Sequence, residues 1–142
     1  MSHAKRIVLD ANILLRAVFG IRVRDLLRDY EDVASFFTPD VCLRDARAYI
    51  PVIASTRRFD PASGLMVLDQ LARVVEIVDR DIYQEFETIA RQRMLSRDEG
   101  DWPIAATCLL LDCPVWTEDQ DFFGSGIATW TTNNVELFLR DA

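Results

Sequence analysis

An α/β domain built around a mostly parallel sheet is the fold class this sequence predicts. Three observations predict it. Short apolar runs alternate with segments of helical spacing, the pattern of strands joined by helical crossovers. Helix stop and start signals fall between them, at Gly20 and at Asp60-Pro61. Half of the residues are hydrophobic and 27 % are charged, which is globular composition, with no linker, repeat or low-complexity tract in its 142 residues. The expectation is one three-layer α/β/α sandwich over residues 1–142.

The elements follow in order. "RIVLD" is a strand ending at Asp10, "ANILLRAVFG" a helix stopping at Gly20, and "VRDLLRDY" a second helical piece. "VASFFTP" is a strand closed by Pro39, followed by a helix from about Asp40 to Thr56. Asp60 caps and Pro61 opens the helix "DPASGLMVLDQLARV". "VVEIVD" is a strand, "DIYQEFETIARQRML" one helix and "RDEG" a loop. "DWPIAATCLLLD" is apolar on nearly every side, so it should be a deeply buried helix. "PVWT" and "IATW" are strands, and "TNNVELFLRD" closes the chain as a helix.

Composition narrows the function. No apolar run reaches the roughly 18 residues of a membrane span, and the N-terminus has no apolar signal core. The expected setting is soluble and cytoplasmic. Cys42, Cys108 and Cys113 form no CxxC pair and His3 is the sole histidine, which argues against structural zinc and against a disulfide scaffold. The net charge of −7 counts against polyanion binding, yet Lys5 is the sole lysine and the remaining cations are arginines. Arginine suits bidentate phosphate contact, and the distribution of charge matters more than its sum. Arg22, Arg24 and Arg28, with Arg91, Arg93 and Arg97, are the expected phosphate contacts, and a solvated helix face is the plainer reading of most.

The chemistry lies in the acids. In open α/β sheets, sites collect beyond the carboxyl ends of strands. Asp10 ends the first strand, and "VWTEDQDFF" sets Glu118, Asp119 and Asp121 after a later one. Asp10 and Asp101 also read as helix caps, each stabilising by about 0.5–2 kcal/mol. Asp45 differs: with Val41 at about 0° on a helical wheel it falls near 40°, between Val52 near 20° and Tyr49 near 80°. It is expected to project from the middle of an apolar face, where a carboxylate needs a partner, a metal or a proton. Arg93 lines up in the same way with Ile82, Phe86 and Ile89. If Asp10, Asp45, Asp101 and Asp119 converge, they cannot all stay ionised without a cation. Mg²⁺ or Mn²⁺ with oxygen ligands answers that, and phosphodiester hydrolysis is the chemistry it suits.

"VLDANILLRA", an acid on the helix after the second strand, "DWPIAA" and "WTEDQDFF", in this order, resemble a PIN domain over essentially the whole chain. The resemblance implies an α/β/α nuclease acting on RNA with acids that bind Mg²⁺ or Mn²⁺. Asp10, Asp101 and Asp119 match its first, third and fourth acids. Asp45 stands where the second is usually Glu, one methylene shorter. Asn12 and Thr117 match supporting polar positions, with Asp98 as a further outer acid and Asp121 close by the fourth. The resemblance further implies a toxin–antitoxin setting with an antitoxin partner, and dimerisation. Two other readings compete. A haloacid dehalogenase-like phosphatase would use Asp10 as nucleophile, but it needs an acid where Asn12 stands and a lysine deep in the site; a receiver domain lacks the same lysine. A catalytically decayed PIN-like module that binds a protein partner fits the acidic charge and the shortened second acid.

Overall fold

The computed structural model describes residues 5–140. His3 lies outside the described residues, as does Asp141 at the end of the expected closing helix. Five strands form one sheet: β1 (Lys5–Leu9), β2 (Ala34–Pro39), β3 (Val75–Val78), β4 (Val115–Trp116) and β5 (Thr129–Trp130). Their order is β3-β2-β1-β4-β5 and every pairing is parallel. The chain builds outward from β1 to β3, returns to the other side of β1 and adds β4 and β5. The order therefore reverses between β1 and β4, and a crevice opens there beyond the strand ends.

Helices cover the sheet in two groups. α1 (Ala11–Phe19), α2 (Arg22–Tyr30), α3 (Asp40–Arg57) and α4 (Pro61–Leu71) pack on one another. α7 (Trp102–Leu111) lies against β1 and β2 with α5 (Arg80–Tyr83) and α6 (Glu87–Arg93) beside it, and α8 (Val135–Arg140) closes the chain. Residues Trp102 to Cys108 are all buried, as the all-round apolar character of that helix requires. Its cover includes Tyr83, edge-on to the Trp102 ring at 5.6 Å.

Three elements differ from expectation. The helix expected over 81–95 is broken by a 3₁₀ turn at Gln84–Phe86. The break follows Tyr83, whose hydroxyl is held 2.7 Å from Asp40 Oδ1, so a tertiary tie overrides local propensity. The loop "RDEG" contains a 3₁₀ turn, Glu99–Asp101, started by Asp98, which accepts from Gly100 N at 2.9 Å.

The third difference corrects the wheel of α3. Its buried stripe is Cys42, Ala46, Ile50 and Ala54, spaced every fourth residue. Tyr49 and Val52 are 56 % and 60 % exposed, and Asp45, placed between them, is exposed as well. Small residues let α3 approach α1 closely, so the bulkier apolar side chains face away. The expected alignment of Arg93 with Ile82 and Ile89 fails similarly: both isoleucines are about half exposed, while Tyr83, Ala90 and Met94 are buried.

Candidate functional site

The switch between β1 and β4 gathers the predicted acids. Asp10 follows β1 and is 6 % exposed. Its Oδ1 accepts the amide of Ile13 at 2.9 Å, so it does cap α1. Its Oδ2 accepts the hydroxyl of Thr117, the residue after β4. That hydroxyl in turn accepts the amide of Asp119 at 2.9 Å, and Asp119 Oδ1 accepts the amide of Asp121 at 2.9 Å. One fully buried threonine thus fixes the ends of both strands relative to each other. Burial raises the pKa of Asp10, against the lowering effect of the bonds from Thr117 and Ile13; nearby Asp119 and Glu118 raise it further.

Asp101 enters from the other layer, at the start of α7. It stands at the cap position but makes no capping bond. Its Oδ2 is buried with no hydrogen-bond partner. Burial first, then the carboxylates of Asp98, Asp119, Asp10 and Asp121, push its pKa to about 7. A cap would satisfy the helix amides; this side chain is instead turned into the crevice.

Asp10, Asp45, Asp101 and Asp119 line one open cleft of about 410 Å³, together with Asn12 and Glu118. Asp45 reaches it from the exposed face of α3 rather than from the core, and its nearest cation is its neighbour Arg44 at 3.7 Å. The tightest acidic group among the described residues is a different triple. Asp98, Asp101 and Asp121 each bring a carboxylate oxygen within 4.8 Å of the others. Asp101 belongs to both sets, so two acids expected only as outer support also crowd it. Charge from Asp119, with a smaller share from burial, raises the pKa of Asp121. The donor set consists of hard carboxylate oxygens, and one of them is buried without a proton donor. Such a donor set suits a hard divalent cation.

Arg93 and Arg97 do not point to this cleft. Arg93 Nη1 donates to the Ser125 carbonyl at 3.1 Å, and Arg97 Nε donates to the Phe123 carbonyl at 3.1 Å. They hold the loop that follows Asp119 and Asp121. Arg24, Arg28 and Arg91 are also engaged, with the Gly20 carbonyl, Asp25, and the pair Glu87 and Glu99. The sequence reading missed Glu118 as a wall of the site. Its Oε2 accepts both the amide and the hydroxyl of Thr132, at 2.8 and 2.7 Å. Its place in the acidic run after β4 was the available signal.

A parallel α/β/α sandwich with an acidic crevice at its switch point defines the class of fold. The PIN domain family model matches residues 8–140, and the chain belongs to that family. PIN domains are generally nucleases and typically depend on divalent metal. No curated protein matches the chain. Among solved structures, PAE2754 from Pyrobaculum aerophilum aligns with a TM-score of 0.71 at 14 % identity, over 98 % of this chain and 92 % of its own. VapBC2 from Rickettsia felis, bound to a DNA fragment from its promoter, aligns with a TM-score of 0.65 at 16 % identity, covering 89 % and 98 %. FitAcB from Neisseria gonorrhoeae gives 0.65 at 16 %, covering 89 % and 97 %. At these identities the likeness speaks to the fold. Among the described residues, no helix is long and apolar enough to cross a membrane.

Proposed function

We propose that this chain is a Mg²⁺- or Mn²⁺-dependent endoribonuclease that hydrolyses RNA phosphodiesters, acting in the cytoplasm as the toxin of a toxin–antitoxin pair. The observation that carries the reading is the buried, unpartnered Oδ2 of Asp101 facing other carboxylates at the sheet switch point. Native structures seldom leave a buried carboxylate oxygen without a partner, and a cation supplies one.

Asp10, Asp101 and Asp119 are the proposed metal ligands. Asp98 and Asp121 support Asp101 from its other side, and Asn12 stands at the mouth. A bound divalent ion supplies an acidified water and neutralises charge on a phosphoryl oxygen. The chain's own residues prepare the place. Thr117 and the Ile13 amide hold the Asp10 carboxylate in one orientation, and the Asp121 amide does so for Asp119. Burial and the surrounding carboxylates push the pKa of Asp101 to about 7, so a cation held there would compete with a proton. Asp45, on the exposed rim, is the proposed fourth catalytic acid and is free to accept a proton from water at the mouth of the cleft. An antitoxin and a second copy of this chain are the proposed protein partners; likeness in fold to a toxin–antitoxin complex from Klebsiella pneumoniae, with a TM-score of 0.61 at 16 % identity, supports the toxin–antitoxin setting.

The test is thermal unfolding against Mn²⁺ and Mg²⁺ for wild type and Asp10→Asn, beside cleavage of labelled single-stranded RNA with and without EDTA. A ligand at about 100 times its dissociation constant adds roughly 2.7 kcal/mol. A metal-induced shift and EDTA-sensitive cleavage, both lost in Asp10→Asn, are expected. A protein that neither shifts with metal nor cuts RNA would be a binding module instead.

A further inference from the structure

Beside the acidic cleft lies a second, larger one of about 700 Å³. Asn12 and Glu118 line both, so the two adjoin as the two parts of a trench. The second part runs along α1: Asn12, Leu15, Arg16 and Phe19 all line it, spaced to share one side of that helix. The end of α3 supplies the opposite bank, with Arg57, whose guanidinium lies 5.5 Å from the centre of the Phe19 ring. Arg22 stands at the far end, paired with Glu136 at 3.3 Å.

Arg16 and Arg57 are exposed and take part in no ion pair among the described residues. In a chain of net charge −7, two cations left without carboxylate partners on one trench make a local reversal of sign. The trench is thus acidic at the Asp10 end and cationic beyond it. An acidic protein segment would satisfy the arginines but would be repelled from the carboxylates. A polyanion that also serves as a ligand to a bound cation satisfies both ends, and a phosphodiester strand is such a polyanion.

We propose that the α1–α3 trench is the path of the RNA strand on one side of the scissile phosphate, with Arg16 and Arg57 gripping successive backbone phosphates. This rests on the nuclease reading above. α1 spans 9 residues, about 14 Å at 1.5 Å per residue. At ~3.4 Å per nucleotide in a stacked strand, that length accepts on the order of four nucleotides. Phe19, below Arg57, offers a partly exposed ring near the strand.

The experiment is fluorescence anisotropy of a short fluorescein-labelled oligouridylate over a salt series in EDTA, which separates binding from cleavage. The proteins are wild type, Arg16→Gln/Arg57→Gln and the control Arg28→Gln. Arg28 is exposed, pairs with Asp25 and does not line the trench. The double variant should bind about tenfold more weakly, with the salt slope of log K smaller by roughly 1.4, at about 0.7 per phosphate contact to a single strand. Arg28→Gln should match wild type, and the Mn²⁺-induced thermal shift should survive in all three, reporting that each is folded. Equal weakening by Arg28→Gln, or unchanged affinity in the double variant, would overturn the path. So would binding of an oligoglutamate peptide that the double variant abolishes while RNA affinity persists, which would give the trench to an acidic protein segment. If wild type shows neither a metal shift nor cleavage, the nuclease reading fails, whatever the anisotropy shows.

Discussion

The hydroxyl of Thr117 donates to Oδ2 of Asp10 across 107 residues of sequence, joining the ends of two adjacent parallel strands inside the core. The same oxygen accepts the Asp119 amide, so one small side chain orients one acid and anchors the segment carrying another. Thr117→Val preserves shape and removes both bonds. It leaves buried polar groups unpaired, a loss of about 1–3 kcal/mol. Partners that orient metal ligands typically contribute 10–100-fold in affinity. Urea unfolding and a Mn²⁺ titration should show both losses, and Thr117→Ser should restore most of each. Metal affinity unchanged in Thr117→Val would mean that Asp10 needs no positioning.

Asp101 makes stability depend on pH. Its carboxyl titrates at about 7, against an ordinary value of 3.8. Between those values the folded protein keeps a proton that the unfolded chain has released, so metal-free stability falls as pH rises through that window. Asp10 is shifted in the same direction, also chiefly by burial. Asp101→Asn removes the share of this penalty that belongs to Asp101. Without metal it should be more stable than wild type at about pH 8 by roughly 1–3 kcal/mol once solvent screening of this partly exposed group is allowed for, and no more stable near pH 4. It should not cut RNA, and saturating Mn²⁺ should reverse the order of stabilities at the higher pH. Lower stability at every pH with cleavage intact would make Asp101 a structural residue.

What could be read from the sequence depended on where each residue sat relative to apolar runs. Asp10 and Asp119 directly follow buried strands and Asp101 opens a helix buried on every side, so their convergence was legible from strand order. Asp45 was not placed correctly, because hydrophobic weight on α3 lies with Tyr49 and Val52, whereas the helix buries the smaller Cys42, Ala46 and Ala54 together with Ile50. The contacts of the arginines were not legible for a related reason. Those in charge-rich helical runs have local partners, as Arg28 has Asp25 and Arg91 has Glu87. Arg16 and Arg57 lie outside such runs, and only the tertiary fold brings them to one trench. Asp98 and Asp101 are three residues apart in one turn, but the approach of Asp121 to them joins segments that sequence spacing does not relate.

Arg93 and the loop after Asp121 form a mechanical unit. Gly126 has a φ of +85°, and a Cβ there would stand 2.2 Å from Arg93 Nη1. Gly126→Ala therefore adds left-handed backbone strain of about 1–2 kcal/mol and displaces the guanidinium from the Ser125 carbonyl. Arg93→Ala loses the same bond from the other side. The two changes should be less than additive in denaturant melts, because each removes one shared contact. RNA affinity per folded molecule should stay near wild type in Arg93→Ala. Full stability with a marked loss of RNA binding would return Arg93 to the phosphate contacts.

Asp45 separates a charge on the rim from a working acid. It is exposed, and its one ion pair among the described residues, to Arg44, is loose. Surface pairs of this kind contribute little, so Asp45→Ala should change stability by no more than about 0.5 kcal/mol. The Mn²⁺-induced shift should persist, since Asp10, Asp101 and Asp119 remain. Cleavage should nevertheless fall, on the order of 10²-fold for the loss of a positioned acid or base. Asp45→Glu lengthens the side chain by one methylene from the same helix position and should retain activity. The pattern of unchanged stability, unchanged metal response and lost turnover identifies a group acting on the reaction rather than on the fold. Wild-type rates in Asp45→Ala would remove it from the catalytic set and leave the chemistry to the acids at the strand ends and at the start of α7.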